Sequence, residues 1–81
     1  MELVEFTEYL VKSIVSEPEL VKVSSFGGEE GSIILEVIVC EKDRGTVIGN
    51  GGKMANAIRT LVQAHAYILK TGKVKLNIDS F

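Results

Sequence analysis

The sequence predicts a two-layer α+β sandwich, a three-stranded mixed sheet covered on one face by three helices. Three observations lead there. Apolar residues recur at three- and four-residue spacing in the first and the longest stretches, alternate in two short ones and run almost unbroken through another short one. Two of the short stretches follow one another across a glycine-rich turn, which makes a hairpin. The third is separated from them by two helical stretches, so if it lies beside them it runs parallel, after a right-handed crossover. The order is α-β-β-α-α-β, and 81 residues make one domain, residues 1–81.

Residues 2–16 read as the first helix. Leu3, Phe6, Leu10 and Ile14, with Val4, Val11 and Val15 beside them, form its apolar face, and Glu5, Glu8 and Lys12 fall opposite. Glu2 and Glu5 suit the positive end of the helix dipole. Pro18 stops the helix, because a residue before proline is pushed away from the α region. Leu20 to Phe26 alternates as a first strand, Gly27 to Gly31 turns, and Ile33 to Cys40 is an apolar strand broken only by Glu36. Such a strand is expected at the centre of the sheet, covered on most of both faces.

Glu41 to Ile48 reads as a short helix ended by Gly49, the position of a C-cap glycine. The next helix opens at Gly52 or Lys53 and ends at Gly72, with Ala55, Ile58, Val62, His65 or Ala66, and Leu69 as its buried stripe. Met54, Leu61 and Ile68 form a second apolar line on its flank, either in contact with the first helix or buried in a twofold interface. Lys73 to Asp79 alternates as a last strand with one wet face.

Composition narrows the functional classes. One cysteine excludes an internal disulfide and a cysteine-based metal cluster, and points to a reducing compartment. Met1 is followed by Glu2 and Glu5 with no basic segment, so no secretory signal is expected, and no apolar run is long enough for a membrane span. The expectation is a cytoplasmic protein. No nucleophile and base, acid pair or metal cluster suggests catalysis; no cofactor, metal or small-molecule substrate is expected, and the chain does not read as an enzyme. Formal net charge is −2, unevenly spread. Residues 1–41 carry nine acids against Lys12 and Lys22; residues 42–81 carry seven bases against Asp43 and Asp79. The bases gather in the half that holds Gly45, Gly49, Gly51 and Gly52.

A glycine-rich loop opening a helix exposes backbone N–H groups and favours an anion, above all a phosphate. A nucleotide P-loop needs glycine where Val47 stands and Ser or Thr where Met54 stands, so that reading fails. The dinucleotide pattern G-x-G-x-x-G fits Gly49 and Gly51 but meets Met54 at its third position, with no acid about twenty residues on. The backbone of a nucleic acid remains.

Val47-Ile48-Gly49-Asn50-Gly51-Gly52, between two helical stretches, resembles the I-G-x-x-G signature of the KH domain. The α-β-β-α-α-β order resembles the type II form of that fold, over the whole chain. Length and the run Gly52 to Leu61 look most like the stand-alone bacterial KhpA proteins. The resemblance implies a loop that clamps the backbone of about four nucleotides of single-stranded RNA beside an apolar groove. It also implies an RNA chaperone or post-transcriptional regulator that forms a homodimer, associates with a larger KhpB (Jag-type) protein and is tied to cell elongation and shape.

Carried onto this chain, the RNA-binding residues are Arg44, Ile48, Gly49, Asn50, Gly51, Gly52, Lys53 and Arg59; Met54, Leu61 and Ile68 are the dimer residues. Ile48 is a candidate floor under the bases, as are Val47 and Ile58, although Ile58 reads better as core. Arg59 reads equally as a solvated helix charge, and His65 and Cys40 as structural residues. The family's loop commonly carries Lys or Arg at its two middle positions; here these are Asn50 and Gly51, which bring no charge. Binding by one subunit is therefore expected to be weak and to depend on a partner. The alternative from another class is a protein-interaction adaptor that keeps the architecture and acts through its homodimer or a KhpB-like protein.

Overall fold

In the computed structural model, which describes residues 1–81, the elements are α1 (Leu3–Lys12), β1 (Lys22–Gly27), β2 (Ile33–Val39), α2 (Glu41–Ile48), α3 (Lys53–Leu69) and β3 (Val74–Ser80). A single helical turn occurs at Pro18–Leu20, and tight turns containing left-handed residues at Glu29–Gly31 and Asn50–Gly52. The sheet order is β1-β2-β3. β1 runs antiparallel to β2 with Val23 opposite Val37, and β3 runs parallel to β2 with Leu76 level with Leu35. This is the expected mixed sheet in the expected order.

Residues paired across strands share a face. The inner face presents Leu35, Val37 and Val39 of β2 and Leu76 of β3, all buried. They meet Leu3 and Val11 of α1, Val47 of α2, and Ile58, Val62 and Ala66 of α3 in one core. Thr7 belongs to the core as well, because its hydroxyl donates to the Leu3 carbonyl (2.8 Å) and needs no other partner. The outer face carries Ile34, Glu36 and Ile38 between Lys22, Ser24 and Phe26 on one side and Lys75, Asn77 and Asp79 on the other. All three helices pack against the inner face, so β2 is central but helix-covered on one face only. Ile34 and Ile38 are half-buried by their sheet neighbours.

Several boundaries differ from the sequence reading. α1 ends at Lys12, four residues before the expected stop, where the Ser13 hydroxyl donates to the Tyr9 carbonyl and tightens the last turn. Pro18 does not end that helix; it opens a single turn of its own. The intervening backbone is captured from afar: the N–H groups of Ser16 and Glu17 and the Ser16 hydroxyl all donate to the carboxylate of Asp43, at 3.0, 3.1 and 2.7 Å. Those bonds hold the Asp43 carboxyl below the usual carboxylate range, the Ser16 hydroxyl being the largest cause. Lys42 lies 2.9 Å from Glu17, and their hydrogen bond raises the amine and lowers the carboxyl.

Two further boundaries move. β2 stops at Val39, and Cys40 is the extended, half-buried residue before α2. α3 stops at Leu69 because Lys70 takes the left-handed conformation (φ 59°) and the Thr71 N–H turns back to the Ala66 carbonyl; Gly72 lies beyond. Leu69 is consequently exposed rather than part of the buried stripe.

Candidate nucleic-acid interface

The loop between α2 and α3 takes its shape from glycine. The Gly49 N–H donates to the Gly45 carbonyl (2.8 Å) and closes α2. Gly49 then adopts φ 77°, ψ 178°, a region open essentially to glycine alone. A Cβ there would also stand 2.7 Å from the Cβ of Met54, so the close approach of the loop to the first turn of α3 excludes every other residue. Gly52 enters α3 at φ 81°. The outcome is a tight, side-chain-poor tip at which Asn50 and Gly51 stand exposed and the backbone can be approached closely. Exposed backbone of this kind at the start of a helix suits an anion.

Around the tip, Asn50, Gly51 and Lys53 are exposed and Gly49 and Gly52 half-buried. Arg44, Gly45, Ile48 and Gly49, with Glu41 at the far end, line a shallow pocket of about 390 Å³ along α2. Arg44 is exposed and takes part in no ion pair. Ile48 is half-buried and offers apolar surface to the pocket. Val47 and Ile58, by contrast, are 0 % and 4 % exposed and point into the core, so neither can lie under a base.

Arg59 is not a free solvated charge. Its Nε donates to the Leu76 carbonyl (3.2 Å) and its guanidinium also reaches Asn56 Oδ1 (3.1 Å). One turn on, Gln63 accepts from the Val74 N–H (3.0 Å) and donates to the Gly72 carbonyl (3.3 Å). The two side chains thus satisfy backbone groups along the free edge of β3, which would otherwise invite strand pairing. Sequence reasoning missed Gln63. The i, i+4 spacing of Arg59 and Gln63 was its only signal, and it has meaning only once β3 is known to be an edge strand.

The flank line of α3 is exposed: Met54 38 %, Leu61 49 % and Ile68 74 %. Contact with α1 therefore does not explain it. His65 does face α1, stacked on Phe6 with ring centroids 4.3 Å apart and Nε2 against the Met1 carbonyl. It is a packing residue, and no group of three or more His, Cys, Asp or Glu side chains assembles anywhere in the fold. No helix is long and apolar enough to cross a membrane.

A three-stranded mixed sheet in the order β1-β2-β3, backed by three helices, with a glycine loop joining the second and third, is a type II KH domain. Comparison with known proteins specifies it further. The family model of the KhpA/KhpB KH domain matches residues 4–78, and the chain belongs to that family. It is 49% identical over 74 residues to the RNA-binding protein KhpA of Clostridium perfringens, covering 91% of this chain and 96% of that one. It is 47% identical over 62 residues to the RNA-binding protein KhpA of Clostridium acetobutylicum, covering 76% and 81%. Among solved structures, Aquifex aeolicus Era bound to GDP and aluminium fluoride matches with a TM-score of 0.68 at 18% identity. That match covers 98% of this chain but 30% of Era, and shows the fold alone.

Proposed function

We propose that the chain is a non-catalytic cytoplasmic protein that binds single-stranded RNA through the loop Gly49–Gly52. Arg44 and Lys53 supply charge beside the loop, Ile48 an apolar surface, and Arg59 the far wall at the edge of β3. The observation that carries this reading is the exposed tip Asn50-Gly51, set between two helices by a glycine that no other residue can replace. The KhpA relatives named as RNA-binding proteins support it. On the same reading the protein acts as an RNA chaperone or post-transcriptional regulator, pairs as a homodimer through Met54, Leu61 and Ile68, and meets a larger KhpB-like protein.

The test is binding of a labelled random-sequence single-stranded RNA in low salt. Replacing Asn50 and Gly51 with Asp sets two negative charges against the RNA backbone, and the expected loss is about 30-fold or more. Undiminished binding by that double variant would remove the loop from the site. Sedimentation at micromolar protein checks the dimer. Leu61→Glu is expected to give a monomer mass with an unchanged circular-dichroism spectrum, and a monomeric parent protein would refute the pairing.

The exposed apolar line of α3 also favours a second reading, an adaptor whose main contacts are with protein. RNA crosslinked in cells separates the two: a yield no higher than that of the loop double variant (Asn50→Asp with Gly51→Asp) supports the adaptor.

A further inference from the structure

We infer that the RNA site is shared between two copies of the chain, with Tyr67 and Lys70 of one protomer bordering the glycine loop of the other. The inference rests on the RNA and dimer readings above and goes beyond them in naming which residues cross the subunit boundary. It starts from a symmetry in α3. The helix runs from Lys53 to Leu69, and its midpoint is Leu61. Met54 and Ile68 stand seven residues to either side, a spacing that returns to nearly the same face of a helix. Ala57 and Ala64 lie between them, exposed and small enough to let a second helix approach. The stripe therefore matches itself when reversed end to end.

An antiparallel pairing about Leu61 sets each Met54 against the partner's Ile68. Beside Ile68 lies an unfilled groove of about 710 Å³, lined by Thr60, Gln63, Ala64, Tyr67 and Val74 among others, which can receive the partner's Met54. A parallel pairing would align the two helix dipoles, set Lys53 against Lys53 and leave that groove facing its own copy.

Reversal has a consequence at the ends. Lys70 comes level with the partner's Gly52, and Tyr67 with the partner's Ala55. Within one protomer these groups are remote from the loop, at the other end of a helix about 25 Å long. Tyr67 is 82 % exposed, an aromatic ring with almost no packing role. It lines, with Gln63, Lys70, Gly72 and Lys73, a pocket of about 560 Å³ that the proposed single-chain site does not use. Tyr67, Gln63 and Arg59 all lie on the β3 side of α3, the side on which Asn56 approaches the loop end. A twofold axis perpendicular to α3 keeps these sides together, so both shared sites open on one face of the dimer. Lys73 shares its other flank with Glu29 and Glu30, which leaves Lys70 as the less compensated cation. A cation for a phosphate and a ring on which a base can stack are what Asn50-Gly51 lacks.

The test uses dimers assembled from two tagged chains and a labelled random-sequence single-stranded RNA. One chain carries Asn50→Asp with Gly51→Asp; the other carries Tyr67→Ala with Lys70→Asn, asparagine being tolerant of the left-handed backbone at residue 70. The Tyr67/Lys70 double variant, at a protein concentration where sedimentation shows it dimeric, should bind about tenfold more weakly as a homodimer. The mixed dimer holds one intact shared site, and should bind with wild-type affinity at half the wild-type stoichiometry. A mixed dimer as weak as its two parents would overturn the inference, and so would full binding by the Tyr67/Lys70 homodimer. Those outcomes differ from failure of the RNA reading, in which the wild type itself binds no RNA, and from failure of the dimer, in which it sediments as a monomer.

Discussion

At the first turn of α2 the Asp43 carboxylate accepts three hydrogen bonds from Ser16 and Glu17, while beyond the far end of the same helix Asn50 and Gly51 stand exposed at a glycine-shaped tip. The eight residues of α2 thus separate a buried polar junction from an exposed loop. The first ties the α1–β1 connection to α2 and holds α2 in place against the sheet. The second presents its backbone to the outside of the chain. Substitutions at the two ends should accordingly separate: stability changes at one, RNA affinity at the other.

Gly49 is where that separation should fail, because it both closes α2 and shapes the loop. Gly49→Ala must strain a glycine-only backbone and push its Cβ into Met54, so a stability loss of about 2–4 kcal/mol is expected together with loss of RNA binding. Urea unfolding and RNA titration on one preparation check both. Asp43→Ala should sharpen the contrast. It strips partners from the Ser16 and Glu17 N–H groups and should lower Tm by about 5–10 °C, with RNA affinity at low temperature within about twofold of the parent.

The same carboxylate sets an acid limit. Its folded-state pKa is lowered, so its contribution is complete above the unfolded carboxylate value of about 3.9 and is lost as pH falls through the lower folded value. Thermal melts below pH 4 should show this loss in the parent and a weaker dependence in Asp43→Asn. Arg44→Ala should have the smallest effect. The salt dependence of RNA binding should flatten by about 0.7 in log–log slope, with Tm unchanged, as for one phosphate contact on a single strand.

Local pattern made most of the fold legible. β2 as the central strand, α2 at Glu41–Ile48 and the hairpin all follow from period and glycine placement, because each is decided within a few residues of itself. The misplaced boundaries have non-local causes. α1 ends early and Pro18 does not stop it, because Ser16 and Glu17 are held by Asp43 from a distant part of the chain, a bond no window of neighbouring residues contains. Likewise, Arg59 reads as a surface charge until β3 is seen to offer it a carbonyl. The glycine loop itself was readable as a shape. The exposed state of Met54, Leu61 and Ile68 needed coordinates, since an amphipathic pattern does not say how wide an arc the core will cover.

Photocrosslinking of bound single-stranded RNA, followed by mass-spectrometric mapping of the modified residues, tests the central claim most directly. Crosslinks are expected within residues 44–59, centred on the loop Gly49–Gly52, with Tyr67 and Lys70 added by the shared site of the dimer. Crosslinks confined to the open sheet face, at Phe26 or Phe81, would contradict the assignment of that loop as the RNA clamp.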